Sequence, residues 1–249
     1  MTASPQRPWL TVVVISKDDL PGLAATLRSI ESQTLPPDEV VLVTKGSSSS
    51  VDLAGLRLPG LRHKVQEDKG ISAAFNLALS MASGDWISFL NGGDTYSNEG
   101  VLATLRPLLR EDVDIVAGRA RDRRVGNLIP RDLYFQARRV DHVSHQASLF
   151  RRALFERHGG YSIDFKIRMD FEWMLRVAEQ ARVEWIDDVL CEFEGGGASS
   201  IDPVRSCREE LDALRRHHAP WPRRARLLGL YLPFRVVRGW VRNLHGARP

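Results

Sequence analysis

The stretch WISFLNGGDTY, residues 86–96, decides how the first half of this chain folds. Its first five residues, WISFL, are apolar apart from one serine, which is typical of a strand buried on both faces. The polar turn Asn91-Gly92-Gly93-Asp94 follows directly. Asn, Gly and Asp are turn residues, but a carboxylate at a strand end can also bind a divalent cation that neutralises a phosphate. The fragment alone fits a turn and a ligand site equally well.

The sequence before this stretch alternates between strand and helix patterns. Together with residues 86–91 it has the order β-α-β-β-α-β, which predicts an α/β fold with a mostly parallel central sheet flanked by helices. Buried strands are predicted at LTVVVIS (10–16) and DEVVLVT (38–44), a short strand within RHKVQED (62–68), and helices at LPGLAATLRSIESQ (20–33) and ISAAFNLALSMASG (71–84).

The predicted sheet indicates where a ligand binds. In open α/β sheets, ligands lie outside the carboxyl ends of the parallel strands. Three of these ends carry polar residues, beginning at Ser16, Thr44 and Asn91. We therefore expect these residues, and Asp94 after them, to face one crevice.

The second half of the chain has a less regular pattern. A strand is predicted at 113–122, a hairpin at 123–132, and a strand or turn followed by a helix at 145–161. A further helix begins near Met169, and one or two strands lead to the loop GGGASS (195–200), which is either a phosphate-binding nest or only a mobile loop. The composition then shifts towards arginine, so we expect a catalytic domain at 1–203 and a basic helical extension at 204–249.

The composition excludes several classes of protein. The 249 residues are 43% hydrophobic and 27% charged, as in an ordinary soluble domain. The two cysteines, Cys191 and Cys207, lack metal-type spacing and give no disulfide framework. We see no convincing signal peptide and no apolar run of about 18–20 residues that could span a membrane. The sequence therefore predicts a cytoplasmic protein.

Two further acidic residues and one histidine are candidates for catalysis. Asp170 opens a predicted helix, with Glu172 in its first turn. Asp170 could be a helix N-cap, or a general base held rigidly at the start of the helix. His145 precedes a predicted strand, and a lone histidine is more often structural than catalytic.

The order of these segments resembles family 2 glycosyltransferases of the GT-A fold, and in particular the branch of colanic-acid and exopolysaccharide sugar transferases. The resemblance covers roughly residues 10–200. EDKGISAAFNLALSMASGDWISFLNGGD (67–94) resembles the stretch from a nucleotide contact to the metal motif, where this branch has Leu-Asn-x-Gly-Asp in place of Asp-x-Asp. SHQASLFRRALFERHGGY (144–161) and FKIRMDFEWMLRVAE (165–179) resemble the acceptor segment and the helix of the catalytic base.

The resemblance implies an inverting enzyme that transfers a sugar from a nucleotide-diphosphate sugar to a hydroxyl of a lipid-linked or glycan acceptor, with Mg²⁺ or Mn²⁺. Asp170 would be the general base, with Glu172 supporting it or touching the acceptor, and Asp94 would bind the metal and diphosphate. The residues implied for the nucleotide-sugar site are Ser16, Thr44, Asp68, Lys69, Asn76, Asn91, Gly92, Gly93 and His145.

The chain departs from the family pattern at three places. Thr44 and Lys45 follow the second strand, where an acidic residue is usual, and Ala73 replaces a frequent Asp. Lys45 and Lys69 add positive charge near the predicted diphosphate. A second hypothesis is therefore a catalytically weakened domain of the same fold that binds a nucleotide sugar or regulates an assembly. A nucleotidyltransferase is a related alternative, but its Gly-rich first loop is absent.

The C-terminal segment has no acidic residue after Asp212, and its arginines continue to Arg248. Apolar residues including Trp240 share one predicted helical face there, and arginines gather on another. Such a helix can lie on a membrane surface, or it can pack on the catalytic domain with its arginines in solvent. No recognised nucleic-acid motif accompanies these arginines, so we expect no nucleic-acid partner and a possible peripheral membrane position.

Overall fold

A computed structural model describes residues 8–67, 69–124, 143–194 and 201–218. The strands are β1 (Leu10–Lys17), β2 (Glu39–Lys45), β3 (Arg62–Val65), β4 (Trp86–Asn91), β5 (Thr95–Tyr96), β6 (Ile115–Asp122), β7 (Ser148–Arg151) and β8 (Val183–Phe193). The helices are α1 (Leu20–Glu31), α2 (Ile71–Met81), α3 (Val101–Leu105), α4 (Arg152–His158), α5 (Met169–Val177) and α6 (Pro203–Arg216). The predicted hairpin beyond residue 124, the loop 195–200 and the segment 219–249 lie outside these residues.

The described strands form one sheet in the order β3-β2-β1-β4-β7-β6-β8-β5. The first four are parallel, as the sequence predicts, with Ser16 opposite Thr44 and Ile15 opposite Asn91. From β7 onwards the sheet is mixed, because β7 is antiparallel to both β4 and β6, while β6 and β8 are parallel. The sheet is therefore parallel at the predicted crevice and mixed on the other side.

Alternate residues of the central strands divide the core between the two faces of the sheet. Val13 and Ile15 of β1 pack with Phe75 of α2 on one face. Val12 and Val14 belong to the other core, which includes the buried side of α1. Every one of these strand residues is buried, which explains why β1 has no polar alternation. The two helix layers therefore cover the two faces of the sheet.

Helix α6 packs against the domain and contributes to its core. Ala213 and Leu214 belong to the same apolar cluster as Phe165 and Met169. On its inner side, Glu209 accepts hydrogen bonds from the backbone N–H groups of residues 166–168. The predicted C-terminal extension begins at residue 204, inside this helix, so its first part is packed beside α5.

Within the ranges that the structure describes, no helix is both long enough and apolar enough to cross a membrane.

Candidate active site

Asp94 closes a tight turn at the carboxyl end of β4. Its Oδ2 accepts hydrogen bonds from the backbone N–H and the side-chain Nδ2 of Asn91, at 2.9 and 2.8 Å. The Asp94 N–H donates back to the Asn91 carbonyl, and Gly93 has a φ of +94°, in the region that favours glycine. Asp94 is only 6% exposed. The turn and the ligand-site interpretations are therefore compatible, because the turn holds the carboxylate in one orientation.

Burial raises the pKa of Asp94, although the hydrogen bonds from Asn91 and the positive charge of Arg123 act in the opposite direction. A buried carboxylate with few cations around it favours a positively charged ligand, because that ligand offsets the cost of keeping the carboxylate ionised.

Gly92 allows the Asp94 turn to lie directly on β1. A Cβ at Gly92 would stand 2.4 Å from the Ser16 Oγ, so this position has no room for a side chain. The Ser16 hydroxyl in turn shares a hydrogen bond of 2.8 Å with Ser48, which follows β2. Ser16, Gly92 and Ser48 therefore join the carboxyl ends of three parallel strands into one surface, at the predicted crevice.

Asp170 lies in the first turn of α5, beside His145. Its Oδ2 is 3.2 Å from the His145 Nδ1, and its Oδ1 accepts the Phe171 N–H at 2.8 Å. The N-cap of α5 is Arg168, with no side-chain capping bond, so the N-cap alternative for Asp170 is wrong. The Asp170 side chain is 24% exposed and that of His145 is 8% exposed. Asp170 is thus the member of the pair that an incoming group can reach.

The pKa of Asp170 lies well below its ordinary range. Burial alone would raise this pKa, but the hydrogen bond from His145, the charge of Arg168 and the Phe171 N–H together outweigh the burial. Asp170 therefore stays ionised and can accept a proton only from a group that has become strongly acidic.

His145 lies beside Asp170 and against the strand that leads to Asp94. It begins a short 3-10 segment, His145–Ala147, immediately before β7. Its Nδ1 contacts Asp170, and its ring packs against Phe89 of β4. The structure therefore brings the approach to β7 and the start of α5 together beside the strand that ends at the Asp94 turn.

The sequence of the catalytic core is that of a known family. The model of glycosyl transferase family 2 matches residues 11–167. The chain belongs to glycosyltransferase family 2. It is 34% identical over 206 residues to an uncharacterized glycosyltransferase of Mycobacterium tuberculosis, with 78% of each chain covered. A PGL/p-HBAD biosynthesis glycosyltransferase of Mycobacterium bovis is 28% identical over 180 residues, 68% of this chain and 69% of the relative.

The fold of this family 2 glycosyltransferase matches that of solved GT-A enzymes. The mannosyltransferase PcManGT from Pyrobaculum calidifontis, in complex with GDP-Man and Mn²⁺, aligns with a TM-score of 0.67 at 22% identity. The alignment covers 98% of this chain and 77% of that one. The predicted fold class is thereby confirmed, and the chain is a glycosyltransferase enzyme.

Side chains close the part of the crevice that lies at the end of β2. Thr44 is buried, and its hydroxyl contacts the His63 Nε2 at 2.8 Å and the Ser49 hydroxyl at 3.3 Å. Burial lowers the pKa of His63. The Thr44 side chain therefore belongs to the wall of the predicted nucleotide site, where its hydroxyl is already hydrogen-bonded.

The start of α2 carries positive charge. Lys69 is exposed there, and Lys166 lies against Gly70, with its Nζ 3.9 Å from where a Gly70 Cβ would be. Gly70 has a φ of +85°. Asp68, the other predicted nucleotide contact at this place, lies outside the described residues.

In this structure, two predicted site residues use their polar atoms to bind neighbouring parts of the fold. Glu172 is 2% exposed, and its carboxylate binds Arg176 and the His217 Nε2 of the segment after α6, at 3.0 and 2.9 Å. Both amide atoms of Asn76 bind the backbone of Tyr161, at 2.7 and 2.8 Å. Because these polar atoms are occupied, we do not retain a catalytic role for Glu172 or a nucleotide contact for Asn76.

Arg123 is a site residue that sequence reasoning missed. It follows β6, and its guanidinium donates a hydrogen bond to the Gly93 carbonyl of the Asp94 turn. Its charge is one of those acting on Asp94. The local sequence gives no signal for this contact, because it depends on the pairing of β6 with β8 and of β8 with β5.

Asp94 is the residue that could hold a divalent cation. No group of three or more His, Cys, Asp or Glu side chains in the described ranges has the arrangement of a metal cage. Mg²⁺ is usually bound through one or two carboxylates together with substrate phosphates, and one oriented carboxylate fits that mode. The Asn91 amide donates to Asp94 and so orients this carboxylate, which leaves its Oδ1 for the cation.

Proposed function

We propose that this family 2 glycosyltransferase is an inverting enzyme that transfers a sugar from a nucleotide-diphosphate sugar to a hydroxyl group. The proposal depends on one observation: His145 contacts Asp170 and packs against Phe89 of β4, the strand that leads into the Asp94 turn, so a proton acceptor and a diphosphate-binding carboxylate share one site. A single-displacement reaction needs these two functions on opposite sides of the anomeric carbon.

The donor would bind beside Asp94, with its diphosphate towards the carboxyl ends of β1 and β4. A divalent cation bound there would neutralise the charge that develops on the departing diphosphate. Mg²⁺ and Mn²⁺ are the ions we propose, since the similar mannosyltransferase was solved with Mn²⁺ and GDP-Man. Arg123, Lys69 and Lys166 add positive charge on the protein side.

The acceptor hydroxyl would approach Asp170. Its oxygen forms the bond to the anomeric carbon while the bond from that carbon to the diphosphate oxygen breaks, and the electron pair leaves with the diphosphate. The hydroxyl proton passes to Asp170. A carboxylate of depressed pKa suffices, because the hydroxyl becomes strongly acidic only as its oxygen bonds to carbon.

Replacing Asp170 by Asn tests the role of the base. General-base catalysis contributes about 10²–10⁴-fold, so we expect D170N to lose at least about 100-fold in kcat. Binding of UDP or GDP with Mn²⁺, measured by calorimetry, should remain close to that of the wild type. A D170N enzyme with wild-type turnover of any UDP- or GDP-sugar that the wild type uses would refute the assignment.

The Asp94 turn also supports a second candidate function. This candidate is a domain of the same fold with weakened catalysis that binds a nucleotide sugar or regulates an assembly. Asn91 donates a hydrogen bond to Asp94, whereas a second acidic residue there would add a carboxylate. Thr44 belongs to the closed wall of the predicted nucleotide site, with its hydroxyl already hydrogen-bonded. Wild-type protein that binds a sugar nucleotide but neither hydrolyses nor transfers it would favour this candidate.

We propose a lipid-linked or glycan acceptor, with the colanic-acid and exopolysaccharide branch as the nearest type, from the sequence resemblance. We also propose a cytoplasmic position and a peripheral contact of the basic C-terminal segment with a membrane. Comparing liposome binding of the full chain with that of a chain ending at residue 218 would separate membrane contact from packing on the domain.

A further inference from the structure

We propose that His145 is a positioning residue for Asp170. Its Nδ1–H donates to the Asp170 Oδ2, and the Phe171 N–H donates to Oδ1, so that the two bonds fix the plane of the carboxylate. The catalytic meaning of this arrangement rests on the proposed function, whereas the pairing itself can be measured without any substrate.

The surroundings of His145 determine which ring nitrogen carries the proton. An ionised carboxylate only accepts hydrogen bonds, so the nitrogen that faces Asp170 must be the donor. The other nitrogen, Nε2, is completely buried and has no hydrogen-bond partner in the described part of the chain. A proton on Nε2 would leave a buried donor unpaired, which carries a desolvation cost. The contacts therefore select the tautomer with its proton on Nδ1.

Packing keeps the imidazole in place. Phe75 from α2 and Phe89 from β4 approach it edge to face, with ring centroids 5.7 and 6.4 Å away. Both phenylalanines are fully buried in the core beneath the sheet. Core residues thus hold the ring of His145 in place. Its hydrogen bond in turn restricts the movement of the partly exposed Asp170 carboxylate.

The two hydrogen bonds also determine which sites of Asp170 remain free. An ionised carboxylate has about four lone-pair sites, of which the Nδ1–H and the Phe171 N–H occupy two. The remaining sites lie in the plane that these two bonds define. An acceptor hydroxyl can therefore deliver its proton in a fixed direction, which is the geometric requirement for efficient proton transfer.

A spectroscopic test needs only the purified chain. In ¹⁵N-labelled protein, long-range ¹H–¹⁵N correlations identify the tautomer of His145, whose resonances are assigned by their absence in H145N. We expect the neutral ring to be the Nδ1–H tautomer, and a growing share of the Nε2–H tautomer in D170A. An Nε2–H tautomer in the wild type, or the same spectrum in D170A, would overturn the inference.

Conservative replacement separates positioning from packing. The Nδ2 of Asn can take the place of the His Nδ1 as a donor, whereas Ala removes the donor. We expect H145A to lose about 10- to 100-fold in kcat, as a hydrogen bond to a charged group implies, and H145N to recover most of this loss. The reaction is nucleoside diphosphate release from a panel of UDP- and GDP-sugars with Mn²⁺, with water as the reference acceptor.

His158 provides the matched control. It also has a buried Nε2 with no partner among the residues that the structure describes, but it lies at the end of α4 and contacts α5 through its backbone carbonyl. H158N should have the kcat and donor KM of the wild type. Wild-type kcat in H145A, or an H145N as slow as H145A, would overturn the inference. If the wild type releases no diphosphate from any donor, the proposed function fails and the tautomer measurement alone decides the role of His145.

Discussion

The most specific prediction about stability concerns Glu209 of α6. This residue binds the segment that leads into α5. Its carboxylate accepts the N–H groups of Lys166, Ile167 and Arg168, at 3.1, 2.8 and 2.9 Å. It also accepts a bond of 3.0 Å from the Arg205 guanidinium. Replacing Glu209 by Ala removes four bonds to one largely buried group.

The expected cost follows from these contacts. Hydrogen bonds to charged groups contribute about 1.5–3 kcal/mol each, but the four bonds share one carboxylate, and water can reach some of the released donors. The Arg205 guanidinium is about half exposed, so its ion pair adds little, and the three backbone donors account for most of the loss. We therefore expect E209A to lower the free energy of unfolding by about 3 kcal/mol. For a chain of this size that loss corresponds to a Tm about 6–12 °C lower.

Thermal and urea unfolding, followed by circular dichroism, measure this loss. The matched control is D212A on the same helix, because the Asp212 carboxylate is exposed and its ion pair within the described ranges is with the exposed Arg215. Exposed pairs contribute about 0–1 kcal/mol. An E209A variant no less stable than D212A would refute the reasoning.

The effect of Glu209 should also depend on pH. Burial alone would raise the pKa of its carboxyl, but the three backbone N–H groups and Arg205 lower the pKa below the ordinary value. A lowered folded-state pKa means that the stabilisation is complete above the unfolded pKa of about 4.3. It is lost as the pH falls through the folded-state pKa. The difference in Tm between wild type and E209Q should therefore shrink on acidification below about pH 4.

Two further variants test the turn that carries Asp94. D94N preserves the shape of the turn but removes its charge. The affinity for UDP or GDP with Mn²⁺, measured by calorimetry, should therefore fall at least about tenfold, the equivalent of 1.4 kcal/mol. Unchanged affinity would contradict the role of Asp94. G92A places a methyl group against Ser16, and such overpacking should lower the free energy of unfolding by about 1–3 kcal/mol. Adding S16G should restore part of that loss in thermal unfolding, and no recovery would show that the contact is not the cause.

The sequence was sufficient to predict the parallel half of the sheet. Runs such as residues 10–16 and 38–44 are apolar because their strands are covered on both faces, and the helices between them place these strands in parallel order. The position of β7 between β4 and β6 could not be read in this way. That pairing joins residues about 60 positions apart along the chain, and local patterns contain no information about such distant partners.

The site residues depend on position for a similar reason. Asp94 and Asp170 are predicted from the sequence because each stands at a fixed point of an element, a strand end or the first turn of a helix, and their roles stay predictions. Glu172 shares that helical turn, but one of its two partners, His217, comes from the end of α6, and helical spacing cannot indicate which distant segment a face will meet. Arg123 and Glu209 act through backbone groups of distant segments, which leaves no trace in their own sequence surroundings.

The packing of α6 beside α5 has a consequence for protein engineering. The family model matches residues 11–167 and ends before both helices. A chimaera joined at residue 167 would separate Glu209 from its N–H donors at Lys166 and Ile167 and place α5 on a foreign support. Exchange of this part of the chain between relatives should therefore move residues 165–218 as one cassette, so that Asp170 is transplanted with the helix that holds its segment.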